Sequence, residues 1–562
     1  MLSIDEHNPE SQHLSPLQDG SDDESEASKS DRRRSGARFY SSHFIEAPDV
    51  PLTASPAPPE LSFLGEVRLY PKITLYSIGL AIAFLLGGYD SVIVNTVPSI
   101  SQFQKDFGVQ YGSDKNDYII PSMWLSLWSA LGAVGQILGA LVSPSWQDRS
   151  GRRIPMIVGT VISAAAVAVI YTSYLPSDIN ARRAVFLIGE IISGFGIGIL
   201  TTTAQTYLSE TVPTSLRGSA MALCPTFVLL GQLVGALVVF LSSSGNTSSA
   251  YLVTFVSMWP FSAITLLIVV LVPESPAFLV RNGRLVDAHR SLQKLHSSTQ
   301  DCGQLVKDLQ KTDVQEKEEN EKIPWRDCFR GTDLRRTLIV SFVSMMPCFF
   351  GFSLLSDASY FLQIVGMDDH NSLMMFVLGI SLGLVANAVG VWVANVVGRR
   401  TLMLSSLSVT SLLWLGMGIA GCWSGTVSIW YTAVTMMFIV VICGVGAWPA
   451  SFAVVGETSS LRLRAKSQGI STVASDIASI IFSFVLPYVY NKDAGNLGAK
   501  TGFLFFAICT ITTVITWLAV PELKGRTNSE IDHMFKLELP TRKFKDWSGV
   551  DRMDDSEGLM WK

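Results

Sequence analysis

The chain has 562 residues, 48% of them hydrophobic and 16% charged, against about 25% charged in an ordinary soluble protein. A mean hydropathy of +0.35 excludes a soluble globule, and a net charge of −5 without a local Lys/Arg block argues against a nucleic-acid partner. The seven cysteines show no paired spacing, so neither a zinc site nor a disulfide framework is expected, and no metal or cofactor motif occurs.

Residues 1–68 are rich in Ser, Asp, Glu and Pro, a composition that buries too little apolar surface to offset chain ordering. They are expected to form a disordered cytoplasmic tail. No charged-then-apolar stretch there reads as a removable signal peptide, so the first span is expected to direct insertion. Apolar runs follow at 73–97, 119–142, 154–175, 183–208, 219–241, 250–272, 337–365, 370–395, 401–422, 427–455, 467–489 and 501–520, each near the 20 or so residues that cross a bilayer. The expected fold is therefore all-α: a polytopic membrane protein with 12 transmembrane helices in two six-helix bundles, residues 69–272 and 337–520. Between them, 273–336 is charged and suits a cytoplasmic linker of short solvated helices; 521–562 forms a C-terminal cytoplasmic tail.

Internal repetition supports the two halves. Gly151-Arg152-Arg153 recurs as Gly398-Arg399-Arg400, Glu210-Thr211 as Glu457-Thr458, and Pro273-Glu274 as Pro521-Glu522, in the same order and at nearly one offset of about 247 residues. Short loops on the side of these Gly-Arg-Arg turns hold more Lys and Arg than those on the other, which places that side and both tails in the cytoplasm. The one acceptor triplet for N-glycosylation, Asn246-Thr247-Ser248, falls on the opposite side, so Asn246 is an expected glycosylation site.

Four acids interrupt the apolar runs: Asp90, Glu190, Asp357 and Asp476. Ionised carboxylates without a partner are costly in hydrocarbon, so intramembrane acids mark either proton-carrying sites or neutral hydrogen-bonding groups that fix packing. Asp90, Glu190 and Asp357 fall at a common depth, about 10–12 Å from the outer end of their spans at 1.5 Å per residue. One shared aqueous chamber and a proton-coupling role are expected for them, with Asp476 as a fourth candidate. Gln232 is expected to contact solute, since a buried amide in lipid needs a partner. Trp448 and Tyr360, like Trp124 and Trp128, offer rings that stack on a sugar, although such residues also mark the interfacial belt or helix packing.

Charges at the inner ends suggest a gate. Asp148, Arg149, Gly151, Arg152 and Arg153 form a tight turn, Glu210 and Arg217 follow span 4, Arg399 and Arg400 form the second turn, and Glu457 and Arg464 follow span 10. Opposed charges on two bundles can latch that side shut and release when the halves rock. The plainer reading is topological, with basic residues merely orienting the chain.

The series Gly88-Tyr89-Asp90, DRSGRR (148–153), SETVPTSLRG (209–218), VPESP (272–276), GETSSLRLRAKS (456–467) and VPELKGRT (520–527) resembles the sugar porters of the major facilitator superfamily, over nearly the whole chain from span 1 onward. Within that family, Gly189-Glu190 and the tail GRTNSEIDHMFKLELPTRKF (525–544) are similar to the fungal maltose and α-glucoside permeases. The resemblance implies the major facilitator fold and proton-coupled uptake of an α-glucoside or related glycoside at the plasma membrane, by alternating access. It implies no enzyme activity, and no nucleophile–base, P-loop or dinucleotide motif argues otherwise.

Departures from the family pattern bear on the solute. Where sugar porters carry a Gln-Gln pair in span 7, this chain has Met345-Met346-Pro347-Cys348-Phe349-Phe350-Gly351-Phe352, with no amide. Pro225 stands at the first span-5 glutamine while Gln232 keeps the second, and Phe452 takes the span-10 Trp position, which makes it a further expected substrate contact. Gly87 stands where the maltose permeases have a Glu, and Thr472 replaces a span-11 Arg. The expected pocket is apolar and adaptable. Export of a small secondary metabolite and a non-transporting nutrient sensor are the alternative readings.

Overall fold

The computed structural model describes residues 68–111, 118–243, 250–296, 301–322, 325–460, 463–526, 528–545 and 547. The expected tail before residue 68 and Asn246 lie outside the described residues. Spans 1 to 6 are Pro71–Thr96, Ser122–Ser150, Arg153–Thr172, Ile179–Thr211, Thr214–Ser243 and the pair Ala250–Val256 with Met258–Leu271. Spans 8 to 12 are Asp369–Val397, Arg399–Ala420, the pair Thr426–Val445 with Ala447–Thr458, Arg464–Tyr490 and Thr501–Ala519. Eleven of these are long and apolar enough to cross a bilayer as helices.

Span 7 completes the twelve in pieces: Gly331–Ser344, Met346–Phe349, Phe352–Ser356 and Ala358–Val365. The cause is local. Pro347 has no N–H to donate to the preceding turn, and Gly351 sits at φ 98° with Trp414 so close that a Cβ would come within 2.7 Å of the indole. Only glycine tolerates both. Broken helices are admissible at membrane depth where they line a cavity, and Phe350, Phe352, Ser356 and Asp357 do so.

Within the first half, spans 1 and 5 and spans 2 and 4 pack closely; within the second, spans 9 and 12 and spans 8 and 10. A Cβ on Gly88 would lie 2.1 Å from the carbonyl oxygen of Val228, and one on Gly198 2.1 Å from that of Gln136. Small residues let backbones touch where lipid offers no hydrophobic drive to associate. The halves meet through span 2 against span 11 and span 5 against span 8. Leu75, Leu141, Val385, Trp392, Leu412, Ile477 and Val514 are exposed around the outside, the apolar coat that a polytopic protein presents to lipid.

Two elements differ from expectation. The linker helices Pro276–Arg281, Leu285–Leu295 and Cys302–Lys322 share a small core of Phe278, Leu279, Ala288, Leu292 and Val306, so they are not merely solvated; their charges occupy one face and hide an apolar stripe. Val109–Gln110 pairs antiparallel with Tyr118–Ile119 beyond span 1, a two-residue ribbon too short to register as a pattern in the sequence.

Candidate functional site

Two chambers lie between the halves. The polar one is bordered by Asp90, Asn95, Gln136, Glu190, Gln232 and Asp357, with Ser479 and Ser483 from span 11. The apolar one is bordered chiefly by Phe350, Phe352, Phe376, Met436, Met437 and Trp448. Asn95, Gln232, Phe352 and Ser356 line both, so the chambers adjoin. They hold about 1010 and 920 Å³, open space at their mouths included.

Asp90 and Glu190 are buried, at 7% and 3% exposure, and the Ser193 hydroxyl donates to Asp90 over 2.9 Å. The close glycine contact of Gly88 with span 5 sets the register that turns Asp90 inward, and Gly189 packs on Ile170 of span 3 beside Glu190. Asp357 sits at the joint between two short pieces of span 7, C-capping one and N-capping the next. No Lys, Arg or His is among the described residues lining this chamber. Three carboxyls thus share a cavity without a cation. Asp476 is half-buried on span 11 and lines neither chamber.

Of the expected solute contacts, Gln232 stands at the junction and Trp448 on the apolar wall, its ring edge-on to Phe352 at 4.7 Å between centroids. Phe452 is 59% exposed and lines neither chamber; four residues past Trp448, it is one turn, about 6 Å, nearer the basic end. Tyr360 lies apart as well, in a narrow cleft with Asp357 and Tyr490, where its hydroxyl accepts from the Ile120 N–H at 3.1 Å. Trp128 is buried in a cluster with Phe103, Phe107 and Phe186 and also borders the polar chamber. Asn95, Gln136 and Asn387 were not singled out from the sequence, although the rule that selects Gln232, an amide inside an apolar run, selects them too.

Tyr360 belongs to a seal. At the end away from the Gly-Arg-Arg turns, the Ser122 N–H donates to Asp493 over 2.8 Å and its hydroxyl donates to the same carboxylate. The Asn491 amide donates to the Ile120 carbonyl at 2.8 Å, Gln104 to Gln363 at 2.8 Å and Gln363 to the Ser99 carbonyl at 2.7 Å. Each of these bonds joins one half to the other.

The basic end is built differently. Arg152 grips Glu210 with two nitrogens, at 2.6 and 3.0 Å, and Glu274 accepts the backbone N–H groups of Arg152 and Arg153 at 2.7 and 3.2 Å. The second half repeats the arrangement: Arg399 with Glu457 at 2.8 and 3.2 Å, and Glu522 accepting from the N–H groups of Arg399 and Arg400 at 3.0 and 3.1 Å. Gly151 and Gly398 lie at φ 89° and 105°, where a Cβ would meet those glutamates at 2.5 and 2.9 Å. In this structure the charges expected to latch the halves are paired inside each half, in one cluster apiece. Each glutamate ends a neighbouring span of the same bundle, and each arginine reaches it with two nitrogens, a charge-assisted pair. Asp148 lies 3.8 Å from Arg152 but is exposed, as is Arg149; Arg464 begins span 11; the side chain of Arg217 lies outside the described residues. Glu274 and Glu522 are not among the expected gate residues, yet their repetition at the common offset is the signal that finds them.

Twelve spans in two halves, a cavity between them, cross-half bonds at one end and self-contained charge clusters at the other define a multi-pass membrane carrier. The chain belongs to the family described as Sugar (and other) transporter, which matches residues 77–535. It is 30% identical over 465 residues to MFS transporter fmqE of Aspergillus fumigatus, covering 82% of this chain and 85% of that one. It is 27% identical to Maltose permease MAL61 of Saccharomyces cerevisiae, covering 86% and 79%. Among solved structures, the xylose transporter XylE from E. coli in a partially occluded inward-open conformation superposes with a TM-score of 0.66 at 18% identity, covering 81% of this chain and 100% of that one; that likeness establishes the shared fold.

Proposed function

We propose that the chain is a proton-coupled carrier that takes up an α-glucoside or related glycoside by alternating access. The observation that carries the reading is the placement of Asp90 and Glu190, from different spans, with Asp357 on one chamber that no described cation borders. Such carboxyls are costly to ionise together, so a proton taken from one side and released to the other balances the site while solute hydroxyls donate to the acids. The bundles 69–272 and 337–520 are the rocking units, and 273–336 tethers them. Seal bonds gathered at one end, with charge clusters satisfied inside each half at the other, support a state open toward the basic end. The excess of Lys and Arg in the loops at that end supports a cytoplasmic orientation for it and for both tails, in the plasma membrane. The relatives named as maltose and α-glucoside permeases support the solute class.

The test is uptake of labelled maltose or an aryl α-glucoside by proteoliposomes under an imposed pH gradient. The unmodified protein accumulates solute when the exterior is acid; Asp90→Asn exchanges solute by counterflow but no longer concentrates it. Unchanged dependence on the gradient would remove Asp90 from the coupling role.

A further inference from the structure

Resting on the glycoside reading above, we infer that the solute is amphipathic: a glucoside whose sugar occupies the polar chamber and whose aglycone is an aromatic or comparably apolar group seated in the adjoining apolar chamber. The two chambers are lined in opposite ways and adjoin, sharing Asn95, Gln232, Phe352 and Ser356 as a common wall. In the polar chamber three carboxyls accept from hydroxyls, and the amides of Asn95, Gln136 and Gln232 both donate and accept. Beyond the junction, Asn387 is the one amide among the described lining residues, and the wall is made of Phe376, Met436, Met437 and Trp448.

A free disaccharide fits this arrangement poorly. Its second ring would carry several hydroxyls past the junction, and each left unpaired costs roughly tenfold in affinity. An aromatic ring loses nothing there and gains from burial against Phe and Trp faces, while methionines adapt to its outline. The broken span 7 enforces the division: of the two chambers, Phe350 borders the apolar one alone and Asp357 the polar one alone, with Phe352 and Ser356 on the wall between them. The glycosidic oxygen then lies at the junction beside Gln232, so the linkage, rather than either end, is what the shared residues read.

Binding to the full chain in lipid nanodiscs tests this with p-nitrophenyl α-D-glucoside, methyl α-D-glucoside, maltose and p-nitrophenol. The aryl glucoside is expected to bind roughly 30-fold more tightly than the methyl glucoside, from burial of about 80 Å² of ring, and p-nitrophenol weakly. Met437→Gln, on a half-buried residue of the apolar wall, brings the aryl-to-methyl ratio toward one; Gln136→Ala weakens both glucosides and keeps the ratio. Equal affinity for aryl and methyl glucosides, with both bound, overturns the inference and leaves the carrier reading standing. Competition by p-nitrophenol as strong as by its glucoside also overturns it, since the apolar chamber would then serve lipids or free aromatics. Binding of no sugar at all sinks both.

Discussion

The two halves of this protein kept the same charged turn and furnished opposite walls for the cavity between them. Arg152, Glu210 and Glu274 are repeated almost bond for bond by Arg399, Glu457 and Glu522. In the cavity, Asp90, Gln136, Glu190 and Gln232 come from the first half and the apolar Phe352, Phe376, Met436 and Trp448 from the second, which adds Asp357, Ser479 and Ser483 to the polar side. The comparison teaches that a duplicated unit is held to its pattern where geometry is unforgiving, at a glycine turn with a carboxylate against its backbone, and is free to diverge where its side chains face solute. Even the turns are not equal. Arg152 and Glu210 are 3% and 15% exposed against 15% and 28% for Arg399 and Glu457, because Ser275 donates to Glu210 and the Phe278 ring stacks on Arg152 from the linker.

Four tests break or sharpen this contrast. The largest effect is expected on coupling: Glu190→Gln in the first half abolishes solute accumulation driven by a pH gradient in proteoliposomes, while Asp476→Asn in the second, away from both chambers, leaves most of it. Equal losses would show that acidity of the spans matters and not the shared chamber. Next come the turns. Glu210→Ala strands a buried guanidinium and costs about 3–5 kcal/mol, whereas Glu457→Ala, with a partner closer to water, costs about 1–3 kcal/mol; thermal unfolding of the purified proteins ranks them, and a reversed order would refute the role of the linker cover.

A smaller effect is expected at the seal. Asp493→Asn weakens its hydrogen bonds to Ser122 by roughly 1 kcal/mol and shifts the population toward opening at that end, read as faster modification of Ser129→Cys by a membrane-impermeant thiol reagent added from that side. No change in rate would mean that the seal is held by the remaining amide bonds. The smallest effect concerns the linker, which only the first half touches at its turn. His296 is buried beside Tyr70, its carbonyl accepting from Lys72, and burial holds its imidazole below the ordinary range. The unfolded chain therefore takes up a proton first as pH falls, so this stabilising contribution is complete above about pH 6.5 and is lost as pH drops through the lower folded value. The protection factors of the Leu285–Leu295 amides, taken against the intrinsic exchange rate at each pH, fall between pH 7 and 5, and His296→Gln flattens that dependence.

Residue patterns alone carried much of the fold. The boundaries of spans 2 to 6 and 8 to 12 fall close to their apolar runs, because about 20 consecutive apolar residues are a local property that lipid reads directly. The placement of Asp90, Glu190 and Asp357 at one depth was also legible, since rise per residue converts position into height. Which way a side chain turns around its helix was not. Asp476 has the same chemistry as Asp357 yet misses the chamber, and Phe452 sits one turn below the wall that Trp448 forms, because rotation and register come from glycine contacts such as Gly88 on Val228. Pro347 and Gly351 were visible, but that they would break span 7 into four pieces depended on Trp414 of span 9 crowding the glycine.

From its sequence by itself this protein was already a duplicated, twelve-span membrane chain with acids at a shared level and paired arginine turns, for these follow from composition and spacing along one dimension. Tertiary structure alone decided that each turn closes on a glutamate of its own half, that the bonds between halves gather at the other end, and that one cavity is acidic on one side and apolar on the other. Those are matters of which atoms of distant segments approach within hydrogen-bond range, and only packing in three dimensions sets that.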